Sequence, residues 1–205
     1  MMSLAGRVAI VTGAANGIGR AIALALARER ARVVVCDIDG EGACKVAEEI
    51  AGENGECLAF QVDVTNAQDI NRLVAQTLDR YDRIDFLVNN AGITRAHLID
   101  DVDFCDWAAA WDDILSVNLL GPAHITYFAV QHMIRAGGGR IVNVSSRGAF
   151  RGEPHKQLIQ SVLAVQDMSL HETVTFIQIN RRQYFPGHNR LGNAGCILLQ
   201  RCHNR

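Results

Sequence analysis

The chain has 205 residues and a net charge of −2 at pH 7, enough length for one α/β domain with a sizeable core and too little basic character for a nucleic-acid binder. No stretch is apolar over the length of a bilayer span, and the N-terminus lacks a basic-then-apolar leader, so no membrane partner is expected. The six cysteines (Cys36, Cys44, Cys57, Cys105, Cys196, Cys202) form no C-x-x-C pair and read as small hydrophobes of a reduced compartment, by default the cytoplasm, with no disulfide framework or metal site.

Arg7 to Val11 reads as a short buried strand that breaks into Thr12-Gly13. Glycines recur at 17 and 19, and Ile18, Ala21, Ile22, Ala25 and Leu26 follow at helical spacing. A strand, a glycine turn and a helix aim unpaired backbone N–H groups and the positive end of the helix dipole at one point, which attracts a phosphate. The glycines let the chain turn tightly and let a pyrophosphate approach without striking a Cβ. The second strand, Arg32 to Cys36, ends at Asp37. In a parallel βαβ unit that carboxylate sits beside the same crevice and can accept hydrogen bonds from both hydroxyls of an adenosine ribose. A 2′-phosphate there faces a like charge, so NAD is favoured over NADP. The plainer reading of Asp37 is a capping or loop carboxylate.

Asp39 can cap a helix with the apolar stripe Ala43, Val46, Ala47 and Ile50. A third strand spans about Glu56 to Val62 and ends in Asp63-Val64-Thr65. Thr65 with Gln68 reads as a capping box before Ile70, Leu73, Val74, Thr77 and Leu78. Ile84 to Val88 reads as a fourth, apolar strand ending in Asn89-Asn90-Ala91-Gly92. Ala96 to Ala110, with Asp100, Asp101, Asp103 and Asp106, reads as a solvated acidic loop. A long helical region covers about Trp107 to Arg135, with Pro122 as an irregularity. Gly137-Gly138-Gly139 closes it, and Arg140 to Val144 is a fifth strand ending in Ser145-Ser146. Strands alternating with helices predict a Rossmann-type α/β fold with a doubly wound parallel sheet. Ligands bind such sheets at the carboxyl ends of the strands, so Asp37, Asp63, Asn90 and Ser146 should converge on one crevice.

With these motifs in hand, residues 1–154 resemble the short-chain dehydrogenase/reductase family. The matching segments are TGAANGIG (12–19), Asp37, DVT (63–65), NNAG (89–92), VNLLG (117–121) and GRIVNVSS (139–146). The candidate cofactor-binding set is Thr12, Gly13, Asn16, Gly17, Ile18, Gly19, Asp37, Asp63, Val64, Asn90, Ala91 and Gly92. Within it, the resemblance implies that Gly13, Ile18 and Gly19 line the pyrophosphate and that Asp63 and Val64 contact the adenine. It further implies that Asn90 to Gly92 wall the cleft. Asn118 would organise a water in a proton relay, and Ser146 would face the substrate oxygen.

The family also uses a tyrosine with a lysine four residues later, where the ammonium favours the phenolate and grips the nicotinamide ribose. Ile159 and Leu163 stand near those places here. The tyrosines are Tyr81, Tyr127 and Tyr184 and the lysines Lys45 and Lys156, and no tyrosine has a lysine four residues on. Composition changes at the same boundary: residues 155–205 hold only Ala164 and Ala194 but six glutamines. The tail histidines (His155, His171, His188, His203) have no metal-ligand spacing. We therefore divide the chain into a dinucleotide-binding domain, 1–154, and a divergent tail, 155–205. The apolar runs Val174 to Ile179 and Cys196 to Leu199 could imitate late elements of the sheet, but an altered reading frame or alternative exon is favoured. The helix that builds the family's usual dimer face is then altered.

Two functions remain in view. One is an NAD-dependent oxidoreductase moving a hydride between nicotinamide and a small alcohol or carbonyl substrate. The other is an inactive dinucleotide-binding protein, or a truncated product, without the Tyr/Lys pair.

Overall fold

The computed structural model describes residues 4–95 and 102–145, together with the strand 174–180. Ser146, Ile159, Leu163, Lys156 and the tail histidines lie outside the described residues.

The elements alternate from the start: β1 (Val8–Thr12), α1 (Gly17–Arg28), β2 (Arg32–Asp37), α2 (Gly40–Gly52), β3 (Cys57–Gln61), α3 (Ala67–Tyr81) and β4 (Phe86–Asn89). Then come α4 (Phe104–Leu115), a π-helical segment (Ser116–Leu120), α5 (Gly121–Arg135), β5 (Gly138–Val144) and β6 (Val174–Asn180). The sheet order is β3-β2-β1-β4-β5-β6. The first five strands are parallel, as the alternation of strands and helices requires. The edge strand β6 runs antiparallel to β5, a common addition to a parallel sheet.

Because helices cover both faces of the sheet, its strands are apolar on both sides and read as unbroken β-branched runs. Val8, Ile10, Val34 and Cys36 face one core with Ile70, Leu73, Ile125, Ala129 and Met133 of α3 and α5. Val11, Val33 and Val35 face the other, with Ala23, Leu24, Ala43, Val46 and Ile50 of α1 and α2. Each fully buried Val, Ile or Leu contributes roughly 1.5–3 kcal/mol.

Four sequence expectations need correction. In α1 the buried positions are Gly19, Ala23 and Leu24, while Ile18, Ala21 and Ala25 face solvent. Alanine on nearly every face blurs the helical stripe, and the bare Gly19 is what lets α1 lie against the sheet edge. The cap of α3 is Asn66, whose Oδ1 accepts from the N–H groups of Gln68 and Asp69. Thr65 instead donates its hydroxyl to Asp63 Oδ1 at 2.7 Å. The acidic stretch before the long helix is helical from Phe104 onward: Asp103 caps α4 by accepting from Asp106 N–H, and Asp106 lies in the first turn.

The fourth correction concerns Asp85, a buried charge within the stretch taken for an apolar strand. Its Oδ2 accepts from Val8 N–H at 2.9 Å and from Arg83 Nε at 2.7 Å. Its Oδ1 accepts from Arg7 at 2.8 Å and Arg83 at 2.5 Å. Burial alone would raise this carboxyl, but the Arg83, Val8 and Arg7 donors outweigh it and hold the pKa below the usual carboxylate range. Asp85 thereby ties the leading ends of β1 and β4 together, at the edge opposite the glycine loop.

Candidate functional site

The carboxyl ends of β1, β2, β3 and β4 open into a crevice with about 360 Å³ of room. Gly13, Asn16, Ile18, Asp37, Asp63, Val64, Asn90, Ala91 and Gly92 line it, joined by Ile38, Val62, Ile93 and Val117. Asp37, Asp63 and Asn90 thus converge as expected. Thr12, Gly17 and Gly19 shape the loop from behind or beside it.

Hydrogen bonds knit the glycine loop to the turn after β4. Thr12 is buried, and its Oγ1 accepts from the N–H groups of Asn90 and Ala91, both at 3.0 Å. Asn90 Nδ2 returns donors to the carbonyls of Thr12 and Gly13, also at 3.0 Å each. Two glycines are required by geometry. Gly13 has φ +62°, and a Cβ there would lie 2.7 Å from Ala91 Cα. A Cβ on Gly19 would run into the Gly13 carbonyl oxygen. Asn90 is therefore a brace for the loop, with its side-chain amide already committed.

The N-terminus of α1 differs from those of α2, α3 and α4. Asn16 makes no side-chain cap bond, and the first turn holds no acidic residue. Asp39, Asn66 and Asp103 cap the other three with side-chain oxygens. The leading N–H groups of α1 are thus free to meet an anion at the crevice, where Gly17 leaves open space. A cradle that two added Cβ atoms would destroy, beside uncapped helix amides, fits a diphosphate.

Asp37 stands half-buried at the end of β2. Its Oδ2 accepts from Ala15 N–H at 2.9 Å and its Oδ1 from Asp39 N–H at 3.0 Å. Each oxygen keeps a further lone pair for a ligand hydroxyl. Asp63 is more occupied, since its Oδ1 accepts from both the N–H and the hydroxyl of Thr65. Among the described residues no lysine or arginine lines the crevice, so its only cationic character comes from backbone amides.

Sequence reasoning missed Ile38, Val62, Ile93 and Val117. Ile18 and Ile38 are each about two-thirds exposed, at 65% and 66%. Large apolar side chains left open on a crevice wall offer a surface to the flat face of a ligand. The signal for Ile38 was its place directly after Asp37.

Asn118 is buried in the π-helical segment. Its Oδ1 accepts from Ile93 N–H at 2.8 Å and its Nδ2 donates to Ile93 O at 2.9 Å. The side-chain amide therefore imitates a strand neighbour and holds the Gly92–Ile93 wall in place. The segment is wound one residue wide: Gly121 N–H reaches back to Ser116 O. Pro122, the expected irregularity, follows at once and has no N–H for the carbonyl of Asn118 four residues earlier.

A family profile described as short chain dehydrogenase matches residues 7–158. The chain is 41% identical over 155 residues to a 3-oxoacyl-[acyl-carrier-protein] reductase of Synechocystis sp., covering 75% of this chain and 61% of that one. It is 38% identical over 146 residues to D-threitol dehydrogenase of Mycolicibacterium smegmatis, covering 71% of this chain and 55% of the relative. Among solved structures, a 7 alpha-hydroxysteroid dehydrogenase complexed with NADH and 7-oxo glycochenodeoxycholic acid matches with a TM-score of 0.73 and 30% identity. That match covers 80% of this chain and 63% of the other. The chain spans about three fifths of the length of the curated relatives it matches.

Proposed function

The chain belongs to the short chain dehydrogenase family, an oxidoreductase family, and from that premise we propose that its crevice binds NAD(H) for hydride exchange with a small alcohol or carbonyl compound. The observation that carries this reading is the pairing of the uncapped α1 N-terminus with Asp37 across one cleft. The loop amides of 13–19 hold the diphosphate, and Asp37 accepts from the ribose hydroxyls. Ile38 and Val64 flank the adenine, with Asp63 beside it. When bound, the nicotinamide supplies or accepts the hydride.

The side chain of Asn118 positions the Gly92–Ile93 wall, and the residue would organise the water of a proton relay. Ser146 would hold the substrate oxygen. NAD is preferred to NADP because the Asp37 carboxylate lines the crevice and, among the described residues, no lysine or arginine does. Residues 1–154 form the binding domain and 155–205 the divergent tail. Among the described residues no helix is long and apolar enough to cross a membrane. Cys36, Cys44, Cys57 and Cys105 are free thiols, which suits a reducing compartment such as the cytoplasm. Burial pushes the Cys57 thiol up to about 11 and Cys36 higher still, so neither serves as a nucleophile at neutral pH.

A second reading is favoured by one specific observation: no Tyr-x-x-x-Lys occurs anywhere in the sequence. Loss of a positioned acid–base group costs ~10²–10⁴ in rate. A protein that binds the dinucleotide without turning it over then serves as a sensor or an inactive partner. Calorimetric titration with NADH, followed by a turnover assay on secondary alcohols and their ketones, separates the two. Binding with turnover supports the first reading and binding alone the second; no binding contradicts both.

A further inference from the structure

Two buried polar atoms that find no hydrogen-bond partner among the described residues stand at neighbouring strand ends: Asn89 Oδ1, where β4 stops, and Ser145 Oγ, directly after β5. Side chains alternate across a strand, and the two cores show which way these point. Ile141 joins the core under α3 and α5, whereas Val142 and Val144 pack with α1 and α2. Asn143 therefore lies in the Ile141 row, and Ser145 is the next residue of that row beyond the strand. On β4, Leu87 joins the α5 core and Val88 the other, so Asn89 points toward α5 as well. Its bonds agree. Asn89 Nδ2 donates to Thr126 Oγ1 of α5 at 3.3 Å and to Oδ1 of Asn143, its register neighbour on β5, at 2.8 Å. Asn89 is 4% exposed, and with both amide protons committed its Oδ1 still lacks a donor. A buried amide oxygen left in that state is costly, so the arrangement calls for an occupant.

We propose that one water molecule is bound here, donating to Asn89 Oδ1 and bonding to the Ser145 hydroxyl, in an internal site between β4, β5 and Thr126 of α5. With strands about 4.8 Å apart and rising about 3.3 Å per residue, an extended continuation of β5 sets the two Cα atoms roughly 8 Å apart on the diagonal. The two side chains do not bond directly, and a bridging oxygen about 2.8 Å from each closes such a gap. Water is the smallest group that both donates and accepts, and buried waters ordinarily take up polar groups that the chain cannot pair with itself. Neither Asn89 nor Ser145 lines the crevice, so this site is distinct from any solvent met there and does not depend on which nucleotide the crevice takes. Asn89 precedes the Asn90–Gly92 wall, and Ser145 precedes Ser146. The water thus couples the two strand ends from which those segments leave the sheet.

The test begins with a high-resolution crystal structure of the full chain, which should show one density peak within about 2.6–3.2 Å of both Asn89 Oδ1 and Ser145 Oγ. In solution, the amides of Asn90 and Ser145 should show cross-relaxation to a long-lived water by NMR. Ser145→Ala removes one ligand of that water with little change in volume, so it should lose the cross-relaxation at Asn90 and melt a few degrees lower. The crystal of the unaltered chain decides alone if the variant does not fold. A direct hydrogen bond between Asn89 and Ser145 in that crystal, or a dry contact between them, overturns the proposal. So does a water signal at Asn90 that survives unchanged in Ser145→Ala.

Discussion

Asp37 and Ala15 are joined by a 2.9 Å hydrogen bond in which the carboxylate at the end of β2 accepts from the backbone of the glycine loop. The proposed ribose anchor and the proposed phosphate cradle are therefore one mechanical unit. Replacing Asp37 by Ala should cost more than a ribose contact, because Ala15 N–H loses its partner and the loop its brace. We expect NADH affinity to fall ~10–100-fold, consistent with ~1.5–3 kcal/mol for hydrogen bonds to a charged group. Asp37→Asn should retain part of that, and titration of both variants checks the order.

Glycine substitutions sort by what a Cβ would meet. Gly19→Ala places a methyl against the Gly13 carbonyl, and Gly13→Ala adds a positive φ to a clash with Ala91. Overpacking of this kind costs ~1–3 kcal/mol or more, and both variants should melt several degrees lower and bind NADH weakly. Gly52→Ala, at the end of α2 with open space before it, should be neutral or stabilising by up to ~1 kcal/mol. Thermal melts of the three discriminate packing from a general intolerance of substitution.

Asn118 makes two hydrogen bonds to one backbone residue, Ile93. Asn118→Asp removes the donor to Ile93 O and buries a charge, while Asn118→Leu leaves both Ile93 groups without that partner. Each should destabilise by ~1–3 kcal/mol. The diagnostic readout is hydrogen exchange: the Ile93 amide should exchange faster in both variants, with the cores under β1 and β2 unchanged.

Asp85 links stability to pH. Its folded-state pKa is depressed, so its contribution is complete above the unfolded value of ~3.9 and is lost as pH falls through the lower folded value. Asp85→Asn should therefore be less stable than the parent at pH 6–7. The gap should narrow as both are acidified below about pH 4, as the parent carboxylate also protonates. Urea melts across that range measure the gap directly, and a gap that widened on acidification would contradict the assigned sign.

The parallel, doubly wound arrangement of β1 to β5 was legible because strands alternate with helices and because unbroken runs such as Val33-Val34-Val35 suit strands covered by helices on both faces. Asp37 was legible because the end of the second strand fixes where its carboxylate stands. The orientation of α1 was not, since alanine on every side gives a stripe with no contrast. The cap at Asn66 was hidden by an adjacent threonine that prefers Asp63, and Asp85 by the apolar residues on either side of it. The clamp of Asn118 on Ile93 joins residues 25 apart through a π-helical turn. No local spacing announces such a contact.

The most direct test of the account is hydrogen exchange of the full chain with and without NADH. Binding at the opening crossover should slow exchange at the amides of residues 13–20 and at Asp37 to Asp39, and Asp37→Ala should abolish that protection. Unchanged exchange across these segments at saturating NADH, or protection confined to another part of the chain, would contradict it.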